Sequence, residues 1–405
     1  MKRLLYMLLC LIVGVTLPGC VEEYEADIPA EDSELLVVEG RICSGEQNWF
    51  ILTRTRPINS SYMPQMVVGA NVSVRGSDGS EYIAQPATNG NYTCWIDHLN
   101  PDVEYRLHIE IDGEVYESEP QKPLPTEKIA DVSGMQNTPE SNIDILVTPA
   151  TPFNSDQPNY YSWTYNETWE VHPALTTEIY YDIKEKGPAY YDDNNPNPYP
   201  KRGWIDSSSS LTMIGGSTNY EGQHIQSLKM YEIDQRDERI SHRYSGLIHQ
   251  RAISKAEYEY ELARRQADSE MGGLFTPLPS ALPTNIHCLT SKRHAIGFVG
   301  CSLNTSAYRF FLNAEDFTTN YMEKDALTIL ELPETKDPAI INAFMMECQL
   351  MALQGLPLII WNDERRNGGV LRTGWAQNLN QLDVRLKGAY IEEPDFWSLK
   401  ENISY

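Results

Sequence analysis

The sequence is short of positive charge, and this shortage limits the kinds of partner that the protein can bind. Lysine and arginine number 32 against 57 aspartate and glutamate residues, so the formal net charge is −25 at pH 7. Binding to nucleic acid depends on clustered lysine and arginine side chains that neutralise phosphates, and binding to anionic lipid depends on the same side chains. The composition therefore predicts no nucleic-acid partner, and it leaves surface charge unable to hold the protein on a membrane.

Recognisable catalytic and cofactor motifs are absent as well. The sequence contains no HExxH, GxSxG, Walker or GxGxxG pattern, and its eight histidines are scattered. His242 and His249 are seven residues apart, which is not the spacing of three or four that is typical of metal ligands. We therefore expect no catalytic residues, no bound metal and no cofactor. An anchored hydrolase of extracellular polymers stays open as an alternative, because catalytic pairs are often distant in sequence.

Cysteine is scarce, with seven residues in the chain, and no CxxC pair occurs, which counts against a zinc knuckle or a thioredoxin-like site. Cys43 and Cys94 fall within one predicted domain, so they are candidate disulfide partners. Cys288 and Cys301 are close in sequence, but in a hairpin turning near Lys292 they would lie about 13 Å apart. That separation exceeds the reach of a disulfide.

The sequence contains one long hydrophobic run, Leu4–Val15. This run follows two positive residues and is too short to span a bilayer as a helix. Shortly after it comes the sequence Leu17–Cys20, which resembles the lipobox of bacterial lipoproteins. The resemblance implies removal of residues 1–19 as a signal peptide and lipidation of Cys20. The protein would then be held to a membrane through acyl chains without crossing it. An ordinary signal peptide that happens to precede a cysteine is the alternative.

An acidic tether is predicted over residues 20–33, directly after the lipidated cysteine. Its charges are Glu22, Glu23, Glu25 and Asp27. Such a run resembles the export signal that Bacteroides-type bacteria use to place lipoproteins on the outer face of the outer membrane. The alternative is a solvated, extended tether. We expect a location in the outer membrane facing the cell exterior, with the periplasmic face left open.

Residues 34–119 contain short runs of strand-forming residues separated by turn sequences. The predicted strands are Leu35–Ile42, Trp49–Thr55, Val67–Arg75, Glu81–Ala84, Asn91–Ile96, Glu104–Ile111 and Glu114–Ser118. Asp112-Gly113 between the last two is a strong hairpin signal. Seven strands in under a hundred residues predict an Ig-like β-sandwich. The sequences Gly69–Val74, Asn89–Tyr92, Leu99–Pro101 and Tyr105–Leu107 further resemble prealbumin-like modules.

A proline-punctuated linker at residues 120–127 precedes residues 128–405, for which we predict a larger β-rich domain of the α+β class. One strand of this domain places five residues on a single face: Tyr161, Trp163, Tyr165, Glu167 and Trp169. An aromatic stripe with one acid would suit a platform that stacks sugars. The core face of a sheet is the more frequent explanation, and we favour it.

Two helices are predicted in the second domain. Ser254 and Glu257 form a capping box for a helix that runs to about Met271. A second helix begins at Pro338 behind the cap Asp337 and ends near Gly355. The second helix is apolar on most faces, which predicts burial.

Residues 184–220 are rich in aspartate, asparagine, proline, tyrosine, serine and glycine, and we interpret them as one long loop. Its aromatic residues would bring contact area at low entropic cost, so we consider them possible ligand contacts: Tyr190, Tyr191, Tyr199 and Trp204. A solvated insertion is the alternative.

Segments along nearly the whole chain together resemble a family of lipoproteins of Bacteroides-type bacteria, the domain of unknown function 4249. The matching segments are Leu36–Gly40, Tyr160–Trp169, Ala252–Ser254, Tyr258–Tyr260, Gly272–Phe275, Pro283–Ile286, Ala295–Phe298 and Glu393–Trp397. The resemblance implies a cell-envelope lipoprotein, often found beside TonB-dependent transporters. It implies no catalytic residues.

The sequence therefore favours a lipoprotein that acts as a binding or accessory module, with a TonB-dependent transporter barrel as its expected partner in nutrient uptake. Its ligand would be a small molecule or a polymer of a class that the residues do not specify. Two alternatives stay open, an adhesion or fimbria-type structural lipoprotein and the anchored hydrolase. No sequence feature decides among the three.

Overall fold

The structure is a computed structural model that describes residues 34–56, 65–88, 90–151, 157–209, 212–270, 282–322, 337–363, 371–376, 378–399 and 401–405. The predicted signal peptide, the lipidation site and the acidic tether lie outside these residues: Cys20, Glu22, Glu23, Glu25 and Asp27. Within the described ranges, no helix has the length and apolar character needed to cross a membrane.

The described residues fold mainly into strands and contain two α-helices, as expected from the sequence. The strands are β1 (Leu36–Cys43), β2 (Glu46–Arg54), β3 (Gln65–Met66), β4 (Asn71–Gly76), β5 (Glu81–Pro86), β6 (Asn91–Ile96), β7 (Tyr105–Ile111), β8 (Glu114–Ser118), β9 (Ile129–Gln136), β10 (Ile143–Pro149), β11 (Tyr160–Val171), β12 (Ile179–Asp182), β13 (Gly187–Tyr190), β14 (Gly203–Ser208), β15 (Met213–Gly216), β16 (Leu228–Ile233), β17 (Arg243–Ile253), β18 (Ile286–Cys288), β19 (Ala295–Ser302), β20 (Ser306–Asn313), β21 (Leu358–Asp363), β22 (Leu371–Trp375) and β23 (Ile403–Ser404). The helices are α1 (Lys255–Glu270) and α2 (Pro338–Leu353).

The N-terminal strands form a ten-stranded sheet in the order β18-β8-β7-β4-β5-β6-β2-β1-β19, with β3 paired to β2. The strands predicted at Asn91–Ile96 and Glu114–Ser118 have the predicted bounds, and Asp112 and Gly113 both adopt positive φ, as the hairpin signal requires. The two end strands, β18 and β19, come from residues that the sequence analysis placed in the second domain. The sheet is therefore completed by a segment distant in sequence.

The ends of the ten-stranded sheet approach one another, so that the sheet is nearly closed. Asn285 links them, because its Oδ1 accepts a hydrogen bond from Val299 N at 3.0 Å and its Nδ2 donates one to Val299 O at 3.1 Å. Alternate residues of β2 fill the enclosed core, where Phe50 and Leu52 are fully buried. The intervening residues of β2 lie on the opposite, outer face of the sheet.

The second β-rich part contains a six-stranded sheet and a three-stranded sheet that pack together. The six-stranded sheet has the order β14-β11-β17-β20-β23, with β15 paired to β11, and the three-stranded sheet has the order β16-β10-β9. The stripe on β11 enters their shared core, where Tyr161 and Trp163 are buried. Trp163 Nε1 donates to Gln250 Oε1 at 2.9 Å, and the buried carboxylate of Glu167 accepts from Tyr244 Oη at 2.8 Å. The interpretation of this stripe as a core face is confirmed.

Both predicted helices occur, but one of them is packed differently from the prediction. The hydroxyl of Ser254 caps α1, and the carboxylate of Asp337 caps α2 by accepting from Ala339 N at 2.9 Å. The prediction that α2 is buried is wrong, since only Phe344 and Cys348 are buried along its length. Three large apolar side chains of α2 are more than half exposed: Met346, Leu350 and Leu353. Among the described residues, the helix packs against β12, and the side that carries Met346 and Leu350 is exposed.

The interpretation of residues 184–220 as a single loop is also wrong. The segment contains β13, β14 and β15, and the last two pair with β11 in the six-stranded sheet. Glycine, serine and asparagine have low strand propensity, so these strands form because a long partner strand is already in place. Tertiary pairing overrides the local composition here.

The predicted disulfide between Cys43 and Cys94 is not present, because both residues are buried free thiols. Cys43 ends β1, and Cys94 lies on β6 opposite Asn48 of β2. Strand β2 therefore separates the two cysteines, which places their Cα atoms about 10 Å apart. A disulfide needs Cα atoms within about 7 Å.

Candidate functional site

A polar cleft of about 360 Å³ lies where the outer face of the ten-stranded sheet meets β17 and α1. We call it the interface cleft. Strands β1 and β2 form one wall, and the six-stranded sheet and α1 form the other. Its principal side chains are Arg41, Trp49, His249, Arg251, Glu257 and Arg264. The cleft therefore depends on the contact between the two β-rich parts of the chain.

An ion pair between Arg251 of β17 and Glu257 of α1 forms the inner wall of the interface cleft. Arg251 Nη1 lies 3.2 Å from Glu257 Oε2 and also donates to Ser302 Oγ at 3.3 Å. The two side chains are only 11% and 8% exposed. A Cβ atom at position 300 of β19 would collide with the Glu257 carboxylate, so Gly300 makes room for the pair. The carboxylate that the sequence assigned to a capping box is thus used by Arg251.

Arg251 retains one unused donor. Burial by itself lowers the pKa of the guanidinium, but the charge of Glu257 and its hydrogen bond outweigh burial and raise the pKa above its ordinary value. The side chain is therefore permanently charged. Its Nε is buried and has no hydrogen-bond partner among the described atoms. A buried donor without an acceptor costs about 1–3 kcal/mol, so an acceptor delivered by a ligand would be stabilising.

The two other arginines of the interface cleft are also paired with glutamates. Arg41 Nε lies 3.2 Å from Glu46 Oε1, and Arg264 Nη2 lies 2.7 Å from Glu261 Oε2. Burial, and then the charge of Arg41, lowers the pKa of His249, so its imidazole is neutral at neutral pH. Three arginines and four glutamates line the cleft altogether. The cleft consequently offers many donors and acceptors with little net charge.

The outer face of the ten-stranded sheet continues the interface cleft as an aromatic surface. Trp49 is 51% exposed and lines the cleft, and Trp95 of β6 is 58% exposed. In the strand register Gln47 faces Trp95 and Trp49 faces Thr93, so the two indoles are diagonal neighbours on one face. Ile83 of the next strand is also largely exposed. We call Trp49, Trp95 and Ile83 the outer-face platform.

A second depression, of about 440 Å³, lies over β4, β5 and β7. Its charged groups satisfy one another. Glu81 accepts from Ser73 Oγ and Arg75 Nε, and His108 is held between two carboxylates, at 2.8 Å from Glu117 and 3.0 Å from Glu110. The interface cleft, in contrast, offers an unused buried donor and is lined by an exposed tryptophan. We therefore take the interface cleft as the candidate site.

The four aromatic residues predicted as ligand contacts do not line the interface cleft. Tyr190 is exposed at the end of β13, and Tyr191 packs against Tyr180 at 5.2 Å, where burial raises its pKa to about 12. Tyr199 packs beside the buried Leu382. Trp204 is 1% exposed. It therefore belongs to the interior and is not available as a surface contact.

The residues that do form the site were partly visible in the sequence. Alternation along the predicted strand Trp49–Thr55 places Trp49 and Phe50 on opposite faces, so one of them must point outward. No sequence pattern indicated that Arg251 pairs with Glu257, because the end of a strand and the start of a helix are brought together only by folding. The site was not predicted for that reason.

Two buried cysteines of the ten-stranded sheet, Cys43 and Cys301, are unsuited to nucleophilic chemistry. Burial first, and then the charge of Glu46, raises the pKa of Cys43 to about 12, and burial and Cys43 raise that of Cys301 to about 12. These thiols are protonated at neutral pH and are weak nucleophiles. No group of three or more histidine, cysteine, aspartate or glutamate side chains in the described ranges is arranged to hold a metal ion.

Comparison with known proteins identifies the family of the chain. Residues 21–307 match the family described as "Domain of unknown function (DUF4249)". This match confirms the family resemblance inferred from the sequence. No curated protein matches the chain.

Among solved structures, similar chains include the adhesin InvE of Yersinia pseudotuberculosis, at 15% identity and a TM-score of 0.16, with 54% of this chain and 55% of the adhesin covered. A DUF4785 family protein from Legionella pneumophila is similar at 9% identity and a TM-score of 0.15, with 53% and 52% covered. The chain spans about half the length of these two structures. Neither likeness carries a functional argument.

Proposed function

The chain belongs to the DUF4249 family, and from that premise we propose that it is a lipid-anchored binding protein of the outer membrane. It holds its ligand in the interface cleft and serves as an accessory to a TonB-dependent transporter in nutrient uptake. The lipobox-like sequence that ends in Cys20 supports the anchor, and the acidic residues after it support exposure on the cell surface. The net charge of −25 leaves the acyl chains as the source of membrane affinity.

The observation that carries the binding role is the unpartnered Nε of Arg251 in the wall of the interface cleft. Folding has buried this donor without giving it an acceptor. Native proteins keep few such groups, and a bound molecule is one of the explanations for each of them. A ligand acceptor would complete the hydrogen bonding of the cleft.

Binding accounts for the cleft better than hydrolysis does. A glycosidase requires one carboxylic acid that gives up a proton and a second carboxylate that acts as base or nucleophile. In the cleft, Glu46, Glu257 and Glu261 each bind an arginine. A substrate would therefore have to displace an arginine to reach any of these three carboxylates.

The exposed side of α2 supports the proposal of a protein partner. Met346 is 68% exposed, and Leu350 lies one turn further along the same side of the helix. Exposed apolar side chains at this spacing form a surface that a partner can cover. Methionine suits such a surface because its flexible thioether adapts to the shape of the partner.

A pull-down from native membranes in mild detergent tests the partnership. The tagged, lipidated protein is expected to elute with a transporter barrel in a fixed ratio. The variant Met346→Lys should lose the barrel, whereas Thr88→Lys, which adds the same charge at an exposed residue next to β5 and away from α2, should retain it. Elution of the wild-type protein alone would exclude the partnership.

The lipid anchor has a separate test. The substitution Cys20→Ala removes the sulfur that accepts the lipid, so the protein should leave the membrane fraction. The control Cys288→Ala, at a partly exposed cysteine of the ten-stranded sheet, should leave the distribution unchanged. Membrane attachment of Cys20→Ala after a salt wash would contradict the proposed anchor.

A further inference from the structure

We propose that the ligand of the interface cleft is a neutral glycan, which stacks on Trp49 and forms hydrogen bonds inside the cleft. This inference rests on the proposed function, since it names the ligand class of the same site. Its support is the outer-face platform, the balance of charge in the cleft and the unused donor of Arg251.

The outer-face platform presents indole surface that the fold itself does not use. Trp49 and Trp95 are each more than half exposed, although tryptophan is usually well buried. The flat, apolar C–H face of a pyranose ring packs on such an indole, and the ring hydroxyls stay in water at its edge. Because Trp49 also lines the cleft, a sugar stacked on it would have its next unit at the cleft mouth.

The charges of the interface cleft favour a neutral ligand. Each of its three arginines is already paired with a glutamate. An anionic ligand would compete with these glutamates, and a cationic ligand would compete with the arginines. A neutral polyol can instead donate to the carboxylates and accept from the guanidinium groups without breaking a pair.

One unused polar atom in the wall of the interface cleft matches the chemistry of a hydroxyl group. Arg251 Nε is a buried donor without a hydrogen-bond partner among the described atoms, and Arg251 lines the cleft. A hydroxyl group can accept from this donor and at the same time donate to a neighbouring carboxylate such as that of Glu257.

The backbone around the outer-face platform argues against an added peptide strand. Strand β2 is hydrogen-bonded to β1 and β6, and β6 is hydrogen-bonded to β2 and β5. Both strands that carry a tryptophan lie inside the sheet with a neighbour on each side, which disfavours binding of a peptide by extension of the sheet. Recognition on this face depends on side chains, as it does for a glycan.

Affinity electrophoresis of the full-length protein in mild detergent tests the inference. The native gels contain hydroxyethylcellulose, laminarin or yeast mannan as neutral polysaccharides, and polygalacturonate as the charged comparison. At least one neutral polysaccharide is expected to retard the wild-type protein. Trp49→Ala should weaken that interaction about tenfold, and Trp49→Phe, which keeps an aromatic face, should retain most of it. Tyr190→Ala, at an exposed aromatic residue outside the cleft, should bind like the wild type.

Three results would overturn the inference: no retardation by any neutral polysaccharide, retardation by polygalacturonate alone, or equal retardation of Trp49→Ala and the wild type. Because Trp49 is on the surface, its replacement should not unfold the protein, and an unchanged circular dichroism spectrum verifies this.

The glycan and the transporter partnership are tested by different residues, because the pull-down depends on Met346 and the electrophoresis depends on Trp49. Loss of glycan binding with the barrel retained would therefore reject the glycan alone, and the reverse result would reject the transporter.

Discussion

At the scale of single residues, the interface cleft depends on the ion pair of Arg251 and Glu257. The two residues are six positions apart, yet one ends a strand and the other begins a helix. Their pairing joins β17 and α1 beside Gly300 of β19. The wall of the site therefore also helps to hold the two β-rich parts together.

Removal of one partner should destabilise the fold strongly. In Glu257→Gln the buried guanidinium of Arg251 loses its counter-charge, so we expect the free energy of unfolding to fall by about 3–5 kcal/mol. The double variant Arg251→Met with Glu257→Leu should recover part of this loss. Glu46→Gln breaks a more exposed pair with Arg41 and should cost less than about 1 kcal/mol. Urea unfolding measures all of these, and equal losses for the two glutamine variants would contradict the structure.

His249 predicts a dependence of stability on pH. Its pKa is lowered by burial and by Arg41, so below about pH 6.5 the unfolded chain takes up a proton that the folded chain does not. The free energy of unfolding should therefore decrease as the pH falls from 7 toward 5. His249→Gln should show a shallower decrease, and His98→Gln, at an exposed histidine, should follow the wild type. Urea unfolding at several pH values is the measurement, and identical slopes for the wild type and His249→Gln would refute the assignment.

At the scale of elements, the sequence predicted where helices and strands begin better than what they pack against. The cap of α2 at Asp337 was correctly predicted because capping is local chemistry. Its burial was wrongly predicted because an apolar sequence does not reveal how many sides have a partner. Strands β14 and β15 were missed because their residues favour loops and only the pairing with β11 makes them strands.

The one-sided packing of α2 gives a stability prediction. Phe344 is buried against β12, so Phe344→Ala should lower the free energy of unfolding by about 3–5 kcal/mol. Met346→Ala on the exposed side should change it by less than about 0.5 kcal/mol. Thermal and urea unfolding of the two variants provide the comparison. A large loss for Met346→Ala would mean that another part of the chain covers this side.

At the scale of the whole molecule, the ten-stranded sheet is built from two distant parts of the sequence. All seven strands predicted in residues 34–119 occur, because alternation and turn residues are local signals. The addition of β18 and β19 was not predicted. Strand β1 pairs in parallel with a strand some 260 residues later, so that Leu36 lies beside Ala295, and no local pattern indicates this pairing. The cleft was hidden for the same reason.

Completion of the sheet predicts how fragments should behave. A fragment of residues 34–125 lacks β18 and β19, so β1 loses a neighbour along its whole length and buried residues such as Leu36 become accessible. We expect this fragment to give a poorly dispersed amide NMR spectrum. A fusion that adds residues 282–303 through a flexible linker should restore dispersion. A well-dispersed spectrum of the shorter fragment alone would show that the sheet does not need the distant strands.

The central claim is that the interface cleft is the ligand site. The most direct test is hydroxyl-radical footprinting of the full-length protein, with and without each of the three neutral polysaccharides. The account predicts that one polysaccharide reduces oxidation at Trp49 and Trp95, while oxidation at Tyr190 and Met346 stays unchanged. Unchanged oxidation at Trp49 with all three polysaccharides, or protection at Tyr190 instead, would contradict the account.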